Sequence, residues 1–420
     1  MMPRTRNPDR MANVVTAAIV AVAFIGLLPP APLAQAVSGL EISLVVLALA
    51  AVAAVGRPAV AWSSLELPVP LAILLVMMSA SAVWSSATLN TMRDVAAFVC
   101  LAAAAWILVQ NARPTVLLTG VIAGGGVIVV ASLVSFMIDP VGSTQQSSGA
   151  LEGIYGNRNQ LGFVMLQCFT AALALDARSR GRIVGKLCLA GLFFTMILAS
   201  FSKTSLVAAI VVAATWLLII ALSRSMRYVW VGIGAFGAAL VAALLNSSAI
   251  LDFFGKDETL NGRVEIWSAL IPAMGSSPVL GFGFLTEWPG WSAQSMAVAA
   301  QMDGLQVVHA HNELLSWWSG TGLFGVAAIV SLYVFVYVAG IRMLRSPRHA
   351  GATWPLLSIV MLNVHGIAST SETKPQGWLI LMLIVFICSR RWSADQSVPR
   401  QLLLRSPKAV RTRGESVGRR

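Results

Sequence analysis

The segment His309-Ala-His311-Asn312-Glu313 holds the residues of the chain best suited to acid–base chemistry. A histidine can accept or donate a proton near neutral pH. A His-x-His pair can also bind zinc, but the chain's two other histidines lack metal-like spacing to this pair. Glu313 would point away from His311 on a helix, so the two are not paired. The segment therefore predicts either a proton-transfer site or a structural histidine at the start of a helix.

Three basic residues lie where apolar segments meet polar ones. Arg158 stands between Asn157 and Asn159 in YGNRNQLG, Lys203 lies in SFSKTS, and Arg263 lies in LNGRVEIW. The guanidinium fork matches phosphate oxygens, and the lysine ammonium is a point charge. Snorkelling at a membrane surface would explain each cation singly. Together they predict a site for an anion.

The composition places these residues in a membrane protein. Hydrophobic residues make up 57% of the 420 residues and charged residues only 11%, whereas about a quarter of the residues of a soluble protein are charged. The apolar stretches are long and continuous, which favours helices over a barrel. The net charge of +12 does not indicate nucleic acid, because seven of these charges lie in residues 390–420. A basic tail beside a membrane span usually sets orientation or contacts anionic lipid.

Twelve apolar segments have lengths near the ~17–25 residues that span a bilayer. His365 lies within the eleventh, where a structural role is favoured. The segments lie near residues 12–28, 38–56, 67–84, 94–110, 115–138, 160–176, 183–200, 205–222, 228–250, 312–340, 353–370 and 376–389.

The distribution of basic residues orients these segments. With the N-terminus in the cytoplasm, 23 Lys and Arg fall inside and six outside, as expected if basic loops stay cytoplasmic. The sequence thus predicts an all-α membrane domain over residues 1–389, with both termini cytoplasmic and a basic cytoplasmic tail over 390–420. The six outside cations are Arg93, Arg158, Lys203, Lys256, Arg263 and Lys374.

The longest outside loop covers residues 251–311. Connections of this length are usually functional or disordered, and the aromatic residues of this loop could line a site. A short amphipathic helix is expected over residues 262–274.

These motifs resemble those of the O-antigen ligase and polymerase superfamily, close to the ExoQ-type exopolysaccharide polymerases. His311-Asn312 followed by nine residues, Gly322 and Gly325 fits the family's H-N-x9-G-x-x-G signature, which His309 does not. GNRNQLG, NGRVEIW with PVLGFGF, and SFSKTS resemble three further family motifs. Lys203 replaces an arginine common in ligases, which favours a polymerase. The motifs cover about residues 150–330.

The resemblance implies a GT-C-like glycosyltransferase at the periplasmic face of the bacterial inner membrane, with no metal and no cofactor. Its donor would be a glycan on polyprenyl diphosphate, such as undecaprenyl diphosphate, and its acceptor a glycan hydroxyl. His311 would orient or deprotonate the acceptor, and Arg158 and Arg263 would hold the diphosphate. Substrate contacts are expected from a further set of residues: Lys203, Asn157, Asn159, Asn312 and Glu313.

Two other functions remain open for this sequence. A ligase would transfer the glycan to a lipid or protein, and a transporter would also fit twelve spans. Transporters often show two similar halves and broken helices at the midplane, whereas here the halves differ and the polar motifs collect in the outer loops. Membrane lipid, chain-length regulators and export proteins are expected partners, and nucleic acid is not.

Overall fold

The computed structural model describes residues 8–27, 39–54, 67–177, 179–224, 263–285, 296, 299–300, 309–345 and 351–396. Most of these residues are helical, and a short antiparallel hairpin joins β1 (Thr144–Gln145) to β2 (Ala150–Leu151). The helices are α1 (Pro8–Gly26), α2 (Gly39–Ala54), α3 (Val69–Ala80), α4 (Thr88–Asn111), α5 (Pro114–Ile138), α6 (Arg158–Ala174), α7 (Arg180–Ala199), α8 (Lys203–Arg224), α9 (Arg263–Ala273), α10 (Glu313–Leu344), α11 (Trp354–Gly366) and α12 (Pro375–Gln396).

Five of the described helices are long and apolar enough to cross a membrane: α4, α5, α7, α8 and α10. Shorter apolar helical stretches of 10–17 residues lie in α1, α2, α3, α11 and α12. Large apolar side chains such as Val76, Val130 and Leu217 are exposed on these helices, as suits contact with lipid tails. The chain is therefore a mostly helical integral membrane protein.

The predicted segments agree with the helices wherever the structure describes them. Each segment except 228–250 coincides with a helix, and the helix expected over residues 262–274 is α9. Segment 228–250, much of loop 251–311 and the tail after residue 396 lie outside the described residues. The count of twelve spans and the cytoplasmic side of both termini stay predictions.

Helices α6 and α12 lie at the centre of the bundle. Every residue of α6 from Leu161 to Ala174 is buried. In α12, the indole Nε1 of Trp378 donates to the carbonyl oxygen of Phe98 at 2.9 Å, and Gln376 Nε2 donates to that of Phe24 at 2.8 Å. Because a buried polar group needs a partner, these bonds fix α12 against α4 and α1. Arg158 is the first residue of the buried central helix α6.

Helix α10 is broken near its start, at Gly322. This glycine has φ 68° and ψ −169°, a combination that is essentially restricted to glycine. The break frees the carbonyl oxygens of Ser319 and Gly320, which accept from the backbone N–H of Phe282 at 2.7 Å and Gly283 at 3.0 Å. Residues 278–285 thus repair the hydrogen bonding of the broken helix.

The same segment is anchored on its other side by α4 and by Ser81, which directly follows α3. Phe284 is buried, and its backbone N–H donates to Ser81 Oγ at 3.0 Å. Its ring packs edge-on against Phe98 with centroids 5.0 Å apart and stacks on Trp317 at 5.4 Å. Residues 278–285 are therefore held firmly against the helical bundle.

Replacing Gly322 with alanine should destabilise the protein by about 1–3 kcal/mol, the cost of forcing a side chain into a glycine-only conformation. A Cβ at this position would also collide with the carbonyl oxygen of Val279. The midpoint of thermal unfolding in detergent measures the effect. Gly126→Ala in α5 is the matched control, since a Cβ there meets no atom within 4 Å. Equal midpoints for the two variants would contradict the prediction.

Candidate active site

His311 lies two residues before α10, in contact with His309. The two rings pack edge to face, with centroids 3.9 Å apart and planes at 85°. The backbone of His311 has φ 51°, in the left-handed region that few non-glycine residues adopt. This turn folds the two side chains against each other and leaves both partly buried.

Helix α9 brings Arg263 to the histidines. The indole Nε1 of Trp267 donates to the carbonyl oxygen of Ala310 at 2.8 Å, and Ala310 is buried in a small apolar cluster with Ile266 and Leu270 of α9. The residue between the two histidines is thus pinned to α9. Arg263 is the first residue of that helix, and its charge acts on both imidazoles.

The electrostatic environment keeps both histidines neutral. Burial lowers the pKa of His309 to about 4, and the positive charges of Lys374 and Arg263 act in the same direction. Burial, followed by His309, Arg263 and Lys374, lowers the pKa of His311 to about 3. A neutral imidazole has a nitrogen lone pair free to accept a proton. The site therefore keeps His311 in the form that can accept a proton, while so low a pKa also makes it a weaker base than a free histidine.

Asn312 and Glu313 both bond to protein groups. Asn312 caps α10: its Oδ1 accepts from the backbone N–H of Leu315, and its Nδ2 donates to the carbonyl oxygen of Ile367, both at 3.0 Å. The buried Glu313 carboxylate accepts from the backbone N–H of Ser371 and of Thr373, the latter at 2.9 Å. Both side chains thus tie the loop of residues 367–374 to the start of α10. Their predicted contact with substrate stays a prediction.

Arg158 and Lys203 form a second group at the starts of α6 and α8. Gly162 brings these starts together, because a Cβ on it would lie only 2.5 Å from Ser202 Cβ and 2.9 Å from Ser200 Oγ. Arg158 is partly buried, and its Nη1 lies 3.5 Å from Ser148 Oγ, at the limit for a hydrogen bond. The GNRNQLG and SFSKTS motifs, far apart in sequence, are thus neighbours in space.

The two asparagines beside Arg158 are exposed at the same place. Asn157 caps α6, since its Oδ1 accepts from the backbone N–H of Asn159 at 2.9 Å and of Gln160 at 3.2 Å. A cap of this kind satisfies N–H groups that a helix start leaves without partners. The structure therefore gives Asn157 a positioning role for Arg158, while the predicted substrate contacts of Asn157 and Asn159 remain predictions.

His365 links the histidine region at the start of α10 to the group formed by Arg158 and Lys203. It is fully buried in α11, stacks on Phe163 of α6 with centroids 4.4 Å apart, and lies 2.9 Å from Ser371 Oγ through its Nδ1. These contacts agree with the structural role predicted for His365. They also place the starts of α6 and α10 and the loop of residues 367–374 at one end of the bundle, so the predicted site residues share that end.

Sequence reasoning missed the loop between α11 and α12. Lys374 was counted among the outside cations without a role, yet its charge acts on His309 and His311. Glu372 beside it was not considered, although its carboxyl group is fully buried. The sequence signal for this loop was the presence of charged residues next to a short apolar segment. Their role became visible only from the contact of the loop with α10.

Comparison with known proteins identifies the relatives of this chain. Residues 188–330 match the family model described as O-antigen ligase. The predicted resemblance is confirmed. The matched region contains Lys203, Arg263 and His311, while Arg158 and Lys374 lie outside it.

The chain is also similar to the exopolysaccharide production protein ExoQ of Rhizobium meliloti (strain 1021). The two are 26% identical over 279 residues, and the alignment covers 63% of each protein. The chain thus matches less than two thirds of the length of this relative. Within the described residues, no group of three or more His, Cys, Asp or Glu is arranged to hold a metal ion.

Proposed function

We propose that this protein is a membrane glycosyltransferase that moves a glycan from a polyprenyl diphosphate to the hydroxyl of an acceptor glycan. The observation that carries the proposal is a neutral His311 beside Arg263, at one end of a helical membrane bundle and inside the region that matches the O-antigen ligase model. A base next to fixed cations suits a transfer that removes a proton from the acceptor and releases an anion.

The reaction assigns a distinct step to His311. The acceptor oxygen attacks the anomeric carbon of the donor, and the bond from that carbon to the diphosphate oxygen breaks, with its electron pair leaving on the diphosphate. The hydroxyl proton passes to the free nitrogen of His311. Positioned general bases contribute about 10²–10⁴-fold to such steps. Direct attack inverts the configuration at the anomeric carbon.

The cations of the chain neutralise the departing diphosphate in this proposal. Arg263 acts beside His311, and Arg158 with Lys203 acts from the starts of α6 and α8. Preorganised charges in a partly dry site stabilise developing charge more than they would in water. No metal, nucleotide sugar or other cofactor enters the proposed reaction. Asn157, Asn159, Asn312 and Glu313 contact the substrate in this proposal.

Polymerisation of repeat units is the activity we favour. The similarity to a protein named for exopolysaccharide production supports a polymerase, as does Lys203 in place of an arginine. The description of the matching family model supports the second candidate, a ligase that transfers glycan to a lipid or protein. Both candidates share the donor and the chemistry.

The orientation belongs to the same proposal. A GT-C-like bundle of twelve spans, with both termini in the cytoplasm of a bacterium, places the site at the periplasmic face of the inner membrane. The 23-to-6 division of basic residues supports this orientation. Chain-length regulators and export proteins are the expected protein partners.

The proposed base predicts an unusual pH profile. A histidine with an ordinary pKa near 6.5 would lose more than about tenfold in its neutral form between pH 7 and pH 5. Because the pKa of His311 is lowered to about 3, it stays neutral over that range, and protonation sets in only near pH 3–4. We therefore expect kcat/KM of the purified protein to change less than about twofold between pH 7 and pH 5. A loss of activity centred near pH 6.5 would contradict this assignment.

Deletion of the gene, followed by analysis of lipid-linked glycans, tests the function. Loss of a polymerase leaves single repeat units on the lipid and removes the long polymer. Loss of a ligase instead accumulates long polymer on the lipid. Unchanged lipid-linked glycans would overturn both candidates and favour the transporter alternative. Complementation with the wild-type gene is the control.

A further inference from the structure

Lys374 is fixed at the N-terminal end of α12. Its backbone N–H donates to the carbonyl oxygen of Ser371 at 3.3 Å, and its own carbonyl oxygen accepts from the backbone N–H of Trp378 at 2.9 Å. The first bond closes a turn and the second starts the helix. The partial positive charge of a helix N-terminus therefore adds to the lysine's own charge.

The loop that carries Lys374 is tied to the start of α10. Glu313 accepts hydrogen bonds from Ser371 and Thr373, and Gly366 fits so closely that a Cβ on it would lie 3.0 Å from Glu313 Cβ. Glu313 is two residues after His311. Lys374 is therefore held in a set position relative to the proposed base.

The ammonium group of Lys374 lies close enough to Glu313 for that carboxyl to raise its pKa, but the two groups form no salt bridge. The side chain is partly buried, and within the described ranges no salt bridge reaches its Nζ. Burial lowers the pKa of Lys374, although the nearby Glu313 raises it. A charge withdrawn from water is costly unless an opposite charge meets it. The arrangement therefore favours an external anion at this position.

The balance of charge around the histidines is positive. Glu372 is fully buried, and its carboxyl group lies beside that of Glu313 and the hydroxyl of Tyr333. Burial raises the pKa of Glu372 well above its usual value, and Glu313 adds to this effect, which disfavours a negative charge on both carboxyl groups at once. Arg263 and Lys374 each bring a positive charge to the same region.

We propose that Lys374 binds a diphosphate oxygen of the lipid-linked donor, opposite Arg263, and stabilises the leaving group as its bond to the sugar breaks. The inference rests on the proposed function and adds to it a cation that lies outside the matched family region. Glu313 is then a positioning residue, because it holds the Lys374 loop against α10. The diphosphate meets cations from α9 and from the loop before α12.

Binding of two lipid probes to the full chain in lipid nanodiscs tests the inference. Farnesyl diphosphate carries the anion of the donor, and farnesol lacks it. Lys374→Met should weaken binding of farnesyl diphosphate about tenfold, the loss expected for one charge-assisted contact, and leave binding of farnesol unchanged. Lys374→Arg should retain most of the affinity. Arg93→Met, which removes an exposed cation of α4, is the matched control and should bind like the wild type.

A chemical rescue separates the charge from the fold. In a Cys188→Ser background, which lacks the exposed cysteine, Lys374→Cys should bind farnesyl diphosphate weakly, and alkylation with bromoethylamine should restore binding by returning an ammonium group. The same background without Lys374→Cys controls for alkylation elsewhere. Binding that is equally weak before and after alkylation would overturn the inference.

Two further outcomes distinguish the inference from the function on which it rests. If the wild type prefers farnesyl diphosphate to farnesol and Lys374→Met does so equally, the inference fails and the proposed donor stands. If the wild type binds both probes alike, the diphosphate donor fails, and the inference with it. Weaker binding of an acidic oligosaccharide alone in Lys374→Met would assign Lys374 to the sugar instead and would also overturn the inference.

Discussion

His311→Asn should reduce the rate of glycan transfer about 10²–10⁴-fold, the contribution of a positioned general base. Asparagine is the informative replacement, because His311 has φ 51° and asparagine tolerates the left-handed region better than alanine does. The backbone of the loop is thus preserved while the proton acceptor is lost. Transfer from a purified lipid-linked glycan donor measures the effect.

A second variant tests the chemistry of His311 directly. Glycine adopts φ 51° without strain, so His311→Gly should be folded and inactive, and added imidazole should restore part of the rate. His349→Asn is a suitable control, since the sequence places that histidine in a cytoplasmic loop. A His311→Asn protein that keeps more than a tenth of wild-type activity would remove the base from the mechanism. An inactive His311→Gly protein that imidazole does not rescue would point to a structural role.

The helices and the residues at their starts were predictable from the sequence. Apolar segment length locates helices because a bilayer sets that length, and the described helices follow the segments. Arg158, Lys203 and Arg263 each turned out to be the first residue of a helix, as their position beside apolar runs indicated. The placement of His311 and Arg263 in one site was expected only through the family resemblance, since no local pattern joins two residues 48 positions apart.

The tertiary roles of single residues were not predictable in the same way. Glu313 follows two candidate site residues and was expected to contact substrate, yet its carboxylate bonds to Ser371 and Thr373 nearly 60 residues away. Gly322 fits a family signature, but the sequence does not show that Phe282 and Gly283 fill the broken turn. Hydrophobic periodicity indicates which face of a helix is buried, but not which loop packs against that face. The role of Lys374 was overlooked because its loop packs against the start of α10.

Arg263→Met should reduce the transfer rate about 10²–10³-fold, the loss that follows removal of one preorganised electrostatic contact to a developing anion. Arg263→Lys keeps the charge but loses the planar fork that binds two oxygens at once, so its rate should lie between those of the wild type and Arg263→Met. Single-turnover transfer at pH 7 distinguishes the three proteins. Lys256→Met, in the same predicted loop, is the matched control and should behave like the wild type.

Arg263 also acts on the base, and this second effect separates catalysis from folding. Its positive charge is one cause of the lowered pKa of His311, after burial and the charge of His309. Without that charge, protonation of the imidazole costs less free energy, so the pKa of His311 rises. The acid limb of the kcat/KM profile then moves to higher pH. Loss of structure alone would lower the rate at every pH without moving the limb. A slower Arg263→Met protein with an unshifted acid limb would therefore place Arg263 away from the histidines during the reaction.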